Sequence, residues 1–272
     1  MRILFLGDIV GRVGRKAVLE RVGGLKDRLK PDMVVVNCEN AAGGFGITRK
    51  IADELYAAGI DVLTSGNHVY DQREAKDFMA DEPRLLRPIN YPEEAPGFGA
   101  GIFETRKGKR LAVINVMGRV FMDPLEDPFQ MMGDVLNGHV LGAHADAILV
   151  DFHGEATAEK MAFAWYIDGK VSAVVGTHTH IPTADCQILP GGTAFQSDAG
   201  MCGDYVSVIG MDKTEPVRRM VEHTPGGRFT PAEGGEATIC GLFIETDDKT
   251  GLAARVAPIR VGGALQEQWP DF

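Results

Sequence analysis

Ile3-Leu4-Phe5-Leu6-Gly7 and Met33-Val34-Val35-Val36-Asn37 are two short apolar runs, and the stretch between them decides the fold class. Over Arg15–Lys30, Val18, Val22, Leu25 and Leu29 recur at the spacing of one apolar helix face. Strand, helix, strand is the building unit of α/β proteins. Val62–Ser65, Ala147–Phe152 and Val171–Gly176 read as further buried strands. Thr48 is placed to cap a helix with Ile51 and Leu55 inside, and Thr157–Asp168, with Met161 and Trp165 one turn apart, reads as another packed helix. Later the pattern changes. Gly101–Thr105 and Leu111–Val116 flank a charged, glycine-containing turn, and Ala237–Thr246 and Leu252–Val261 repeat that hairpin signal. Hairpins added to βαβ units predict mixed sheets rather than one parallel sheet.

The chain has 272 residues, 44% of them hydrophobic, enough for a full core without metal or disulfide staples. We expect a single domain over 1–272. Two excursions interrupt it: Asp81–Gly101, rich in proline, and Ala199–Gly235, which holds Pro216, Pro225 and Pro231 among many glycines. The second could form a small cap or a contact in a homo-oligomer. A net charge of −10 argues against general nucleic-acid binding, which needs a positive field. A small phosphate substrate stays open, because bound cations reverse the local field. No apolar run approaches the roughly 18 residues of a membrane span, and the N-terminal run is too short for a signal peptide. Cys38, Cys186, Cys202 and Cys240 are far apart and read as buried free thiols, so the expected location is cytoplasmic.

Chemistry enters where the strands end. Asp8 follows the first strand, Glu39-Asn40 the second, Asn67-His68 the third, His153 a later one, and Thr177-His178-Thr179-His180 the next. Ligands in open α/β sheets bind beyond the carboxyl ends of strands, and parallel neighbours would bring these five ends to one edge. Each has a bland counterpart: Asp8 as a helix cap, Glu39-Asn40 as a turn, Asn67-His68 as a loop hydrogen bond. His178-x-His180 is more specific, since a period of two turns both rings to one side. Together they offer more ligands than one metal ion can use. Gly11-Arg12-Val13-Gly14-Arg15-Lys16 matches neither a P-loop nor a dinucleotide fingerprint, and Gly43-Gly44-Phe45-Gly46 reads as a flexible loop beside the site. Cys38 should point away from Glu39, into the core.

Gly66-Asn67-His68 and Gly176-Thr177-His178-Thr179-His180 resemble blocks of the calcineurin-like metallophosphoesterases. Gly7-Asp8-Ile9-Val10-Gly11 and Asn37-Cys38-Glu39-Asn40-Ala41 narrow the resemblance to the YmdB-like branch, over essentially the whole chain. The chain departs from the wider superfamily where Asp8-Ile9-Val10 lacks the usual histidine ligand and where Asn37-Cys38-Glu39-Asn40 replaces another acidic block. The resemblance implies a sandwich of two mixed β-sheets flanked by helices. It also implies two divalent transition-metal ions, manganese or iron before zinc. Glu39 would bridge them, with Asp8, Asn40 and His180 completing one and Asn67, His153 and His178 the other. The implied activity is hydrolysis of phosphodiesters, notably 2′,3′-cyclic nucleotides, by in-line attack of a hydroxide shared between the ions. His68 would then be the catalytic acid rather than a ligand. A phosphomonoesterase and a non-catalytic nucleotide- or RNA-binding regulator are the alternatives.

Overall fold

The computed structural model describes residues 1–224 and 226–272. One sheet has the order β11-β10-β1-β2-β3, with β1 Arg2–Leu6, β2 Met33–Asn37, β3 Val62–Thr64, β10 Ile239–Thr246 and β11 Ala253–Val261. The other has the order β4-β5-β6-β7-β9-β8, with β4 Ala100–Glu104, β5 Arg110–Met117, β6 Ala147–His153, β7 Ala173–Thr177, β8 Gln187–Ile188 and β9 Ala194–Gln196. In the first sheet β1, β2 and β3 are parallel and β10 joins β1 antiparallel. In the second, β5, β6, β7 and β9 are parallel, with antiparallel β4 and β8 at the edges. Both sheets are therefore mixed, as the hairpin signals predict.

Alternation along the strands builds the layers. Ile3, Phe5, Val35 and Val62 face Val113, Leu149, Ala173 and Val175 in the core between the sheets. The intervening residues Leu4, Leu6, Val34 and Val36 pack on Val18, Val22, Leu25 and Leu29 of α1, Gly11–Leu29. On the far side, Ile148, Val150 and Phe152 pack on Phe163 of α5, Thr157–Tyr166, and on Met132 of α4, Pro128–Gly138. The result is a helix–sheet–sheet–helix sandwich. The helix α2, Arg49–Ala57, is capped by the Thr48 side chain, which accepts from the Ile51 N–H.

Three readings of the sequence need correction. The five polar strand ends do not share the edge of one sheet: β1, β2 and β3 belong to one sheet, β6 and β7 to the other. The sites meet because the carboxyl ends of both parallel sets open toward the same cleft. Second, α5 is packed through Lys160, Phe163 and Ala164, whereas Met161 and Trp165 are 38% and 54% exposed. Phe163 belongs to an aromatic cluster with Phe152 and Phe129, and that contact sets the rotation of the helix. Third, the four cysteines are free but only Cys38, Cys202 and Cys240 are buried; Cys186 is half-buried.

The glycine-rich start of α1 has a packing reason. A Cβ at Gly14 would overlap the Cys202 carbonyl, so the helix can approach that segment only with glycine there. The segment 199–235 carries α6, Thr214–Glu222, and reaches the cleft through Ile209; Pro225 lies outside the described residues. No helix among the described residues is long and apolar enough to cross a membrane.

Candidate metal centre

Asp8 leaves β1, Glu39 and Asn40 leave β2, Asn67 and His68 leave β3, His153 ends β6, and His178 and His180 leave β7. The cleft brings all seven expected ligands together. Nitrogen and oxygen atoms of Glu39, His153 and His178 form one tight group, and those of Asp8, Glu39 and His180 a second, so Glu39 belongs to both. Gly66 is what lets the two sheets close here: a Cβ would overlap His153 Nε2 and Glu39 Oε2. The other histidines, His139, His144 and His223, lie outside both groups.

Hydrogen bonding fixes which ring atoms face inward. The Thr177 hydroxyl donates to Asp151 Oδ1 at 2.7 Å, so it accepts from His153 Nδ1 at 2.9 Å. His153 Nε2 then faces Asn67 Oδ1 at 2.9 Å, Glu39 Oε2 at 3.0 Å and His178 Nδ1 at 3.1 Å. Three acceptors crowd one nitrogen, which carries at most one hydrogen. At the second group, the Ile209 carbonyl can only accept, so His180 Nδ1 donates to it at 2.8 Å. His180 Nε2 faces Asn40 Oδ1 at 3.1 Å, while Asn40 Nδ2 donates to the Gly44 carbonyl. Two lone pairs at that distance attract only with a proton or a cation between them. Asp8 Oδ1 is buried with no hydrogen-bond partner. Convergent lone pairs, an orphaned carboxylate oxygen and a mixed oxygen–imidazole donor set fit two divalent transition metals.

The electrostatics agree. Burial lifts the Asp8 carboxyl to about 7. Burial opposes charge on Glu39 too, but the charge and hydrogen bond of His153 outweigh it and hold that carboxyl below its usual range. His153 is lifted to about 9 by Glu39 against the effect of burial, and His178 falls to about 3 through burial and the His153 charge. Protein groups alone thus balance this charge with protons, the ligand that metal ions displace.

His68 stands at the cleft wall. Its backbone N–H approaches Glu39 Oε2 at 3.4 Å, and its ring Nδ1 contacts Asp71 Oδ2 at 2.7 Å. Phe45 meets the ring edge-on, with centroids 5.1 Å apart. The glycine-rich loop is therefore beside the site.

Sequence reasoning missed the supporting residues. Asp151 reads as an interruption of an apolar strand, yet it accepts from Asn37 and Thr64 of one sheet and Thr177 of the other, tying the sheets together beneath the cluster. Glu155 Oε2 holds His178 Nε2 at 3.1 Å. Behind the His178–His180 turn, buried Lys160 donates to the Thr177 carbonyl and to Asp198 Oδ2. Asp198 in turn accepts from the N–H and hydroxyl of Thr179. This clamp holds a turn in which His178 and His180 both have positive φ, 96° and 68°. Lys160→Met should lower stability by about 3–5 kcal/mol, because it removes the cation beside buried Asp198 and leaves that carboxylate with its hydrogen bonds from Thr179 and Gly200. Urea unfolding measures this; a loss below about 1 kcal/mol would mean the pair hardly contributes.

Comparison with known proteins gives the family. The YmdB-like protein family model matches residues 4–259. The chain belongs to the YmdB-like family. It is 47% identical to a 2′,3′-cyclic-nucleotide 2′-phosphodiesterase of Bacillus subtilis, over 96% of this chain and 97% of that protein. A Thermus thermophilus protein solved as hypothetical superposes with a TM-score of 0.88 at 39% identity, covering 96% of this chain and 99% of its own. A Mycoplasma pneumoniae structure described as a novel phosphatase gives 0.88 at 32% identity, over 96% and 93%. A Thermus thermophilus sulfate thiohydrolase shares the fold, with a TM-score of 0.57 at 12% identity, over 93% of this chain and 43% of that one.

Proposed function

We propose that this YmdB-like protein is a two-metal phosphodiesterase that hydrolyses 2′,3′-cyclic nucleotides or closely related phosphodiesters. The observation that carries the reading is the convergence of acceptors on His153 Nε2 and His180 Nε2, with Glu39 common to both groups. Asp8, Glu39, Asn40 and His180 would hold one ion; Glu39, Asn67, His153 and His178 the other. Bound there, two divalent ions would supply Lewis acidity toward phosphoryl oxygens and an activated water near neutral pH. Manganese or iron suits this donor set best, with zinc next.

The chain's own groups do the rest. Asp151 and Glu155 orient His153 and His178 through hydrogen bonds to Thr177 and to Nε2. Asp71 accepts from His68 Nδ1–H, so that Nε2–H of the imidazolium form would hand its proton to the departing alkoxide and leave the ring neutral. The described residues of segment 199–235 would cap the cleft through Ile209, and a cytoplasmic location would keep the cysteines as free thiols.

Cyclic diesters should be hydrolysed fastest, linear diesters next and monoesters slowest. A monoester approaches two negative charges near neutral pH, so its dianion binds cations tightly and leaves slowly. Ring strain adds to the advantage of the cyclic ester. A panel of 2′,3′-cyclic nucleotides, linear diesters and monoesters, assayed on one manganese-loaded preparation at one pH, tests the order. A higher kcat/KM for a monoester would replace this reading with a phosphomonoesterase.

A further inference from the structure

One flank of the cleft has a chemistry that neither metal binding nor proton transfer uses. A cavity of about 390 Å³ opens beside Glu39, His68, His178 and His180, within the size range of small-molecule sites. Its outer wall is apolar: Phe45 on one side, and Val208, Ile209, Met211, Met220 and Phe229 on the other. Several of these groups present flat or soft surfaces. The Arg219 guanidinium lies 4.1 Å from the Phe229 ring centroid, and the Arg228 guanidinium lies 5.8 Å from that of Phe45. Met220, on the pocket side of α6 with Pro216 and Arg219, is 78% exposed and presents a polarizable thioether to the cavity.

We propose that this flank is a nucleobase-stacking subsite, which takes the base of a nucleoside phosphodiester without reading its identity. The inference rests on the phosphodiesterase reading above. A phosphoryl group at the histidine cluster leaves its ester substituent to extend toward this wall. Rings and guanidinium planes stack on any base, because every base has a π-face. Arg219 already donates to Glu215 and to the Gly227 carbonyl. The amide and carboxylate groups that line the cavity, Asn40, Glu39 and Glu155, are engaged with His180, His153 and His178 of the cluster, which leaves the apolar flank to meet the base. Recognition should depend on having a base and be indifferent to which one.

The test compares adenosine 2′,3′-cyclic phosphate, cytidine 2′,3′-cyclic phosphate and glycerol 1,2-cyclic phosphate, a cyclic diester with no base. Both nucleotides should exceed the glycerol compound in kcat/KM by about tenfold or more, chiefly through KM, and differ little from each other. Met220→Ala and Phe229→Ala should each shrink that advantage severalfold; Met220 is exposed enough that its replacement leaves the packing intact. A glycerol ester turned over as well as the nucleotides, an advantage surviving both substitutions, or a strong preference for one base would each overturn the proposal. Failure of all three diesters would instead contradict the phosphodiesterase reading. Dissociation constants for adenosine 3′-phosphate against glycerol 3-phosphate, in the same variants, then decide the base subsite on their own: a base-dependent gain that the variants lose supports it, and equal affinities overturn it.

Discussion

Glu39→Ala is expected to lower kcat/KM by about a thousandfold or more and to strip both metal ions from the cleft. Its carboxylate belongs to both ligand groups, and Oε2 lies 3.0 Å from His153 Nε2. Losing the shared oxygens weakens both sites at once, and two-metal phosphoryl transfer draws several kcal/mol of charge stabilisation from its ions. His180→Ala should behave differently, because His180 belongs to the Asp8–Glu39 group alone. It should lower the metal content by about one ion per chain, in proportion to the ligands removed. Metal content and turnover measured on both variants separate the two cases. A Glu39→Ala protein that keeps two ions and near-normal rates would remove the shared ligand from the account.

His68→Ala should retain its metal while turnover falls by about 10²–10⁴-fold. The ring is tied to Asp71 rather than to the ligand groups, and it touches Glu39 only through its backbone N–H. Leaving-group acidity gives the finer signature. A substrate whose alcohol departs without help from an acid should lose much less rate than one with a poor leaving group. Metal loss comparable with that in His178→Ala would move His68 into the ligand set. Equal losses on good and poor leaving groups would take away its role as an acid.

Much of this candidate site is legible in the chain because its expected ligands are placed by local rules. A buried strand must end where its apolar run ends, so Asp8, Glu39, Asn67, His153 and His178 are displayed at strand termini by hydrophobic periodicity alone. What periodicity does not encode is which sheet each strand joins. Placing β1–β3 and β6–β7 in separate sheets depends on crossovers and pairings between residues far apart, such as Leu4 with Phe243. The same limit hides the clamp behind the histidine turn, because Lys160 and Asp198 are 38 positions apart. Asp71 is a nearer miss: it stands three residues after His68, and that spacing was readable as a turn contact. For α5, Met161 and Trp165 give a plausible apolar pair, yet the helix turns Phe163 inward, where it meets Phe152 and Phe129. Hydrophobic side chains on a surface helix are ordinary, so their spacing alone does not choose the face.

Binding metal should also stabilise the fold, since Asp8 and Glu39 are buried carboxylates and one Asp8 oxygen has no hydrogen-bond partner. At a hundredfold excess over the dissociation constant the gain is about 2.7 kcal/mol per independent site. A rise in thermal midpoint on adding manganese would show it, and an unchanged midpoint would count against binding at this cluster.

Elemental analysis of protein purified without chelator tests the central claim most directly. Two groups of candidate ligands that share Glu39, with Asn67 beside His153 and Asn40 beside His180, predict two transition-metal ions per chain, or two after loading with manganese. A content of one ion or fewer per chain, unchanged by added manganese, would contradict the two-metal site.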